Sequence, residues 1–235
     1  MTGSAYPGSE LELFARAANW KRYFAQYVQQ FLGDTVLEVG AGMGGTTVAL
    51  CNGRQRRWLC LEPDRELLAL LASKIAKNDL PSCCEARQGT IQELRPSEQF
   101  GTILYLDVLE HIENDLAEIG RAVRHLTPGG HLLVLAPAHN WLFSRYDEAI
   151  GHFRRYTRRS LQSVAGKELT LVQALYLDSV GLLASLGNRI ILRASLPTQS
   201  QIAFWDRFMV PISRVVDPLL GHRAGKSVIV VWERT

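Results

Sequence analysis

Apolar residues recur along this chain with two different periods, and the switches between them mark out its elements. From Glu10 to Phe31 the positions Leu11, Phe14, Ala15, Ala18, Tyr23, Tyr27 and Phe31 fall at mainly helical spacing, predicting one or two helices at the start. Thr35 to Val39 is a short β-rich run, ended by glycines and followed by TTVALC, which reads as strand, tight turn and helix. Arg57 to Leu61 predicts a second strand. After it, Asp64 is a suitable N-cap for a helix that carries Leu67, Leu68, Leu71 and Ile75 on one face. A weak third strand is expected over Cys84 to Gln88 and a fourth over Phe100 to Leu106. A helix then runs from about Asn114 through Leu116, Ile119, Val123 and Leu126, with Thr127-Pro128-Gly129-Gly130 as its stop signal. His131 to Ala136 is a nearly continuous apolar fifth strand, as expected where helices cover both faces of a sheet.

Strands alternating with amphipathic helices predict an α/β fold with a doubly wound, mostly parallel sheet. The rhythm changes after Pro137. Leu169 to Leu177 and Ser227 to Trp232 read as strands, and between them the apolar stretch 181–220 reads as a helical insertion. The 235 residues suit one domain, divided into an N-terminal helical flank (1–34), a ligand-binding half (35–137) and a substrate-side segment (138–235). With 47% hydrophobic and 21% charged residues the chain lies far from a disordered composition, and a net charge of +3 is too small to imply a nucleic-acid partner. Cys51, Cys60, Cys83 and Cys84 lack CxxC or Cys/His metal spacing, so reduced thiols and no metal are expected. The beginning of the sequence lacks a leader pattern and no run reaches the length of a membrane span, which reads as a cytoplasmic protein, with peripheral membrane contact left open.

Chemistry concentrates at the first strand's end. In Glu38-Val-Gly-Ala-Gly-Met-Gly-Gly45, glycines 40, 42 and 44 let the backbone turn sharply and let a ligand approach closely. Gly40, Gly42 and Gly45 also satisfy GxGxxG, so the glycines alone admit a nicotinamide dinucleotide, and Glu62 is spaced to hold a ribose in either case. Glu38 favours the other choice, because an acid beside the loop disfavours a pyrophosphate and suits a ligand carrying an ammonium and a sulfonium. Asp107, at the fourth strand's end, is expected to line the same crevice, with Val108 beside it.

VLEVGAGMGG, LEPD, YLDVLEHI and LTPGGHLLVLAP occur in the order and spacing of the class I S-adenosylmethionine-dependent methyltransferases, which residues 35–137 resemble. That resemblance implies a seven-stranded sheet with an antiparallel last strand, matched by Ser227 to Trp232. It implies S-adenosylmethionine as cofactor, the loop around its methionine part, and Glu62, with Pro63 next to it, at its ribose. Many such enzymes carry an acid after the glycine that ends the third strand. Here Gly89-Thr90 stands instead, leaving Thr90 or Gln88 to contact the adenine.

The segment SRYDEAIGHFRRYTRRSL resembles a bacterial subgroup of these enzymes acting in small-molecule, lipid or polysaccharide pathways. It overhangs the crevice and supplies Tyr146 and His152, which with His111 are the catalytic candidates, and Asp147, Arg154 and Arg155, the substrate-binding candidates. An imidazole could accept a proton at neutral pH, and an arginine could grip an anion bidentately. His111 could equally pack over the cofactor, and methyl transfer by alignment alone needs no base. The insertion carries more apolar positions than one helix face requires, leaving three readings: core, homodimer interface, or a channel or membrane contact for a lipid-like substrate. The expected activity is methylation of a small-molecule or lipid-linked acceptor, probed against two alternatives: a nicotinamide oxidoreductase and a non-catalytic cofactor-binding module.

Overall fold

A computed structural model describes residues 16–191 and 198–235. Helix α1 (Ala18–Val28) precedes a sheet built from β1 (Thr35–Val39), β2 (Arg57–Glu62), β3 (Cys84–Gln88), β4 (Phe100–Leu106), β5 (Leu126–Pro137), β6 (Leu169–Leu177) and β7 (Ser227–Arg234). The strand order is β3-β2-β1-β4-β5-β7-β6. The first five strands pair in parallel, and β7 runs antiparallel to both β5 and β6. Between the strands lie α2 (Gly45–Leu50), α3 (Arg65–Ala76), α4 (Asp115–Arg124), α5 (Arg145–Ala149), α6 (Arg158–Gln162), α7 (Ser179–Ile191), α8 (Gln199–Phe204) and α9 (Val210–Leu219).

Period-two alternation in the strands divides the core in two. Leu37, Ile103, Val134 and Val230 belong to one face, and their neighbours Val36, Leu104, Leu133 and Ile229 to the other. Asp64 caps α3 as expected, accepting the Glu66 and Leu67 N–H groups at 2.8 and 3.0 Å. One boundary moves. Leu126, expected in the fourth-strand helix, starts β5 instead by pairing with Phe100, so TPGG lies within the strand, where the register slips, and α4 stops at Arg124. Leu11, Phe14 and Ala15 of the expected first helix lie outside the described residues.

The insertion is fastened to the sheet by three buried aspartates. Asp206 accepts the Trp20 and Asn19 N–H groups (2.8 and 3.2 Å), capping α1 from a distant segment. Asp217 accepts from the Tyr23 hydroxyl (2.7 Å) and from the N–H groups of Asp178 and Ser179 (2.6 and 3.0 Å) at the start of α7. Asp178 accepts from Ser213 and from the Trp205 indole, both at 2.7 Å. These bonds hold α1, α7 and α9 as one layer over the strand ends.

The cysteines are free, yet the fold gathers three of them: the Cys51 sulfur lies 3.6 Å from that of Cys83 and 3.5 Å from that of Cys84.

Candidate active site

Gly40, Gly42 and Gly44 all have positive φ (66°, 55° and 77°), so the turn from β1 into α2 uses backbone that L side chains rarely adopt. A Cβ at Gly40 would lie 2.7 Å from a Val108 methyl, and one at Gly44 would lie 2.6 Å from Leu71. Val108 therefore seats the loop from below. Glu62 is buried at the end of β2, and its carboxylate accepts the Gly42 N–H at 2.7 Å and the Asp64 N–H at 2.9 Å. Burial raises its pKa, against which these two hydrogen bonds work.

The Gly42 bond discriminates between ligands. A loop that cradles a pyrophosphate must offer its N–H groups to phosphate oxygens. Here one of them already points at a carboxylate, and a second carboxylate, Glu38, lies beneath. Glu38 is enclosed: Thr46 and Thr47 donate to it, the latter at 2.7 Å, and so does the Trp58 indole at 2.8 Å. It ties the start of α2 to β2 from under the loop, and burial raises its pKa. The cradle thus suits a small cationic ligand bearing a ribose. The residues present fit S-adenosylmethionine.

A cleft of about 220 Å³ opens beside the loop, lined by Gly40, Gly42, Asp107, His111, Tyr146, Asp147, His152 and Arg155 among others. Asp107 is exposed there, with a left-handed backbone (φ 56°). Thr90 lies outside this lining; it opens a short turn in which its N–H donates to Glu93 at 2.7 Å, and Gln88 donates to the Pro63 carbonyl at 3.4 Å. Pro63 is exposed next to Glu62.

Asp147 is the hub of the substrate-side wall. It is fully buried and accepts from His152 Nδ1 (3.0 Å), from Arg155 Nε and a terminal nitrogen (2.7 and 3.0 Å), and from Ser144. Burial alone would raise its pKa, but the bonds from His152 and Arg155 and the arginine's charge hold it well below the usual carboxylate range. An ionised Asp147 can only accept, so Nδ1 of His152 carries a proton and donates it there. Nε2 lies 3.9 Å from a Glu110 carboxylate oxygen, and the His111 ring meets the His152 ring edge-on at 4.5 Å.

Two arginines are placed otherwise than their sequence role suggests. Arg154, expected as the substrate anchor, is committed to Asp115 (2.7 Å) and to the Glu113 carbonyl (2.6 Å), clasping the start of α4. Arg155 spends its fork on Asp147. Besides Arg155, two lysines outside any motif line the cleft, Lys21 on α1 and Lys226 just before β7. Lys21 Nζ would stand 2.8 Å from a Cβ on Gly45, and Lys226 lies over the Trp205 ring at 5.4 Å. Neither stands in a motif; only the fold brings them to the strand ends.

Burial, reinforced by the charge of His152, lowers His111 from 6.5 to about 4. The unfolded chain therefore takes a proton at this site before the folded chain does, and folding stability is expected to fall as pH drops from 6.5 toward 4. Thermal melts across that window should show a shallower decline for His111→Gln than for the wild type; parallel declines would place the loss elsewhere.

Residues 37–132 match the family model described as a methyltransferase domain. That segment, about two fifths of the chain, is similar to a methyltransferase domain. The ubiquinone biosynthesis O-methyltransferase of Bradyrhizobium sp. (strain ORS 278) is 30% identical over 112 residues, 46% of this chain and 42% of the relative. The match thus spans less than half the length of that methyltransferase. A solved geranyl diphosphate methyltransferase in complex with its methyl donor superposes with a TM-score of 0.66 at 14% identity, covering 99% of this chain and 93% of that one. The [4+2]-cyclase SpnF superposes with a TM-score of 0.62 at 13% identity, over 97% and 94%. Likeness to a methyltransferase domain supports S-adenosylmethionine over the nicotinamide dinucleotide that GxGxxG also admits.

Proposed function

We propose that this chain methylates a hydroxyl oxygen of a small or lipid-linked acceptor, with His152 as general base. The observation that carries this reading is the Asp147–His152 pair, which lines the cleft beside the glycine loop with the ring held through Nδ1. S-adenosylmethionine, when bound, supplies a methyl group activated by its sulfonium. Glu62 would hold the ribose hydroxyls, Gly40 to Gly44 would accept the methionine portion without side-chain clash, and Lys21, which lines the same cleft, would pair with the cofactor carboxylate. Glu93, which folds its carboxylate back onto Gly89 and Thr90, stands in for the acid this chain lacks after the third strand.

On the acceptor side, His152 Nε2 would take the hydroxyl proton, and Asp147 would stabilise the imidazolium through Nδ1–H. Tyr146 and His111 shape the wall around the acceptor. Lys226, rather than Arg154 or Arg155, is the cation available to an anionic group on it. The curated relatives are O-methyltransferases by name, in keeping with transfer to oxygen. Superposition with a cyclase means that fold likeness alone does not fix the reaction, so turnover decides it.

Incubation with S-adenosylmethionine labelled in the methyl group, against phenolic and lipid-linked hydroxyl acceptors, should give a base-stable labelled ether. Cofactor binding with no labelled product from any acceptor would instead favour a non-catalytic module.

A further inference from the structure

The helix from Gln199 to Leu219 is continuous: α8 passes through one π turn, Trp205–Met209, into α9, with right-handed backbone at both junctions. Its inner side carries Ile202, Val210 and the two aspartates that fasten the layer. Its outer side carries Phe204, Phe208, Ile212, Val215 and Leu219, at intervals of three or four residues. All five are at least half exposed, Val215 at 65% and Leu219 at 82%. Leu183 on α7 (67%) and Leu220 just past the helix end (46%) are exposed as well. So long a one-sided apolar stripe is costly to leave in water.

The charges on this helix separate by sign. Both acids, Asp206 and Asp217, are turned inward and buried, while both basic residues, Arg207 and Arg214, are exposed, and Arg223 is exposed just beyond the helix end. Arg207 lies over the Phe208 ring at 5.5 Å, keeping its charge at the stripe's edge. Among the described residues of this helix the apolar stripe is accompanied by exposed cations and no exposed acid, which matches a bilayer interface with anionic headgroups. A second copy of the same face would set arginine against arginine.

We infer that the outward face of α8–α9 docks on an anionic membrane surface. The π turn couples that face to the site: Trp205 lines the cleft, while Phe204 and Phe208, one turn apart, point outward. Docking therefore brings the cleft wall to within a helix diameter of the bilayer, about 10 Å. A lipid-linked acceptor could then enter without crossing water. The docking itself does not depend on the reaction proposed above, because it is read with vesicles in the absence of any acceptor.

The experiment is flotation of the full chain with phosphatidylcholine vesicles, with and without phosphatidylglycerol. The protein is expected to float with the phosphatidylglycerol vesicles and to be largely released by high salt, since exposed charges are screened. Phe208→Asp combined with Leu219→Asp should lower the bound fraction roughly tenfold while leaving S-adenosylhomocysteine affinity unchanged, which shows that the variant is folded. Arg207→Ala combined with Arg214→Ala should remove the preference for phosphatidylglycerol. The inference is overturned if the wild type ignores both vesicles, if the aspartate variant floats as well as the wild type, or if sedimentation shows the stripe holding a dimer that does not bind vesicles.

Discussion

Valine at position 40 is expected to abolish S-adenosylhomocysteine binding, with at least about a hundred-fold loss of affinity in calorimetry. Two costs combine there. The backbone of Gly40 sits at φ 66°, in the left-handed region where a β-branched residue is strained. Its Cβ would also lie 2.7 Å from a Val108 methyl, so either the loop lifts or Val108 is displaced. Because Val108 is the floor of the loop, both responses move the surface the cofactor must touch. Gly120 on α4 is the control: a Cβ there meets nothing within 4 Å, and Gly120→Ala should leave affinity unchanged. Unaltered binding by Gly40→Val would mean that the ligand does not rest on this turn.

Loss of the Asp147–His152 pair is expected to have the next largest effect. His152→Ala should lower kcat by about a hundred-fold or more, the usual contribution of a positioned base, while leaving cofactor affinity near the wild-type value. Asp147→Asn is the sharper probe. An amide that turns its NH2 toward Nδ1 would favour the wrong tautomer, and it would also break the bidentate hold on Arg155. Its kcat should fall comparably, and raising the pH should restore part of the rate if the acceptor hydroxyl ionises unaided. A kcat for His152→Ala within twofold of wild type would show that alignment of donor and acceptor is sufficient.

The cofactor half was legible because its signals are local. A β-rich run, three glycines and an N-cap aspartate each act within a few residues, and β1, β2, β4 and β5 fall close to where the periodicity places them. Leu126 was misplaced because a single apolar residue at a helix end satisfies both periods, and only its pairing with Phe100 decides. The far side of the site was less legible because its partners are distant in sequence. Five arginines in one segment suggested an anion site, yet burial of Asp115 and Asp147 beside them demanded ion pairs, which engage Arg154 and Arg155 internally. Lys21 and Lys226 stand 205 positions apart with no pattern to link them, and reach the same cleft only through the sheet order. Glu38 was expected to face the ligand as an acid beside the loop, but its donors, Thr46, Thr47 and Trp58 among them, hold it beneath the backbone, where it orders the cradle.

The most direct measurement is calorimetric titration of the wild type and of Glu62→Ala with S-adenosylhomocysteine, and of the wild type with NADH. The wild type should bind the nucleoside and give no heat with NADH, and Glu62→Ala should bind roughly tenfold more weakly or worse, because the ribose hydroxyls and the Gly42 N–H lose the same carboxylate. Equal affinity for the nucleoside in both proteins, or saturable binding of NADH, would contradict a methyl-donor site built on Glu62 and the glycine loop.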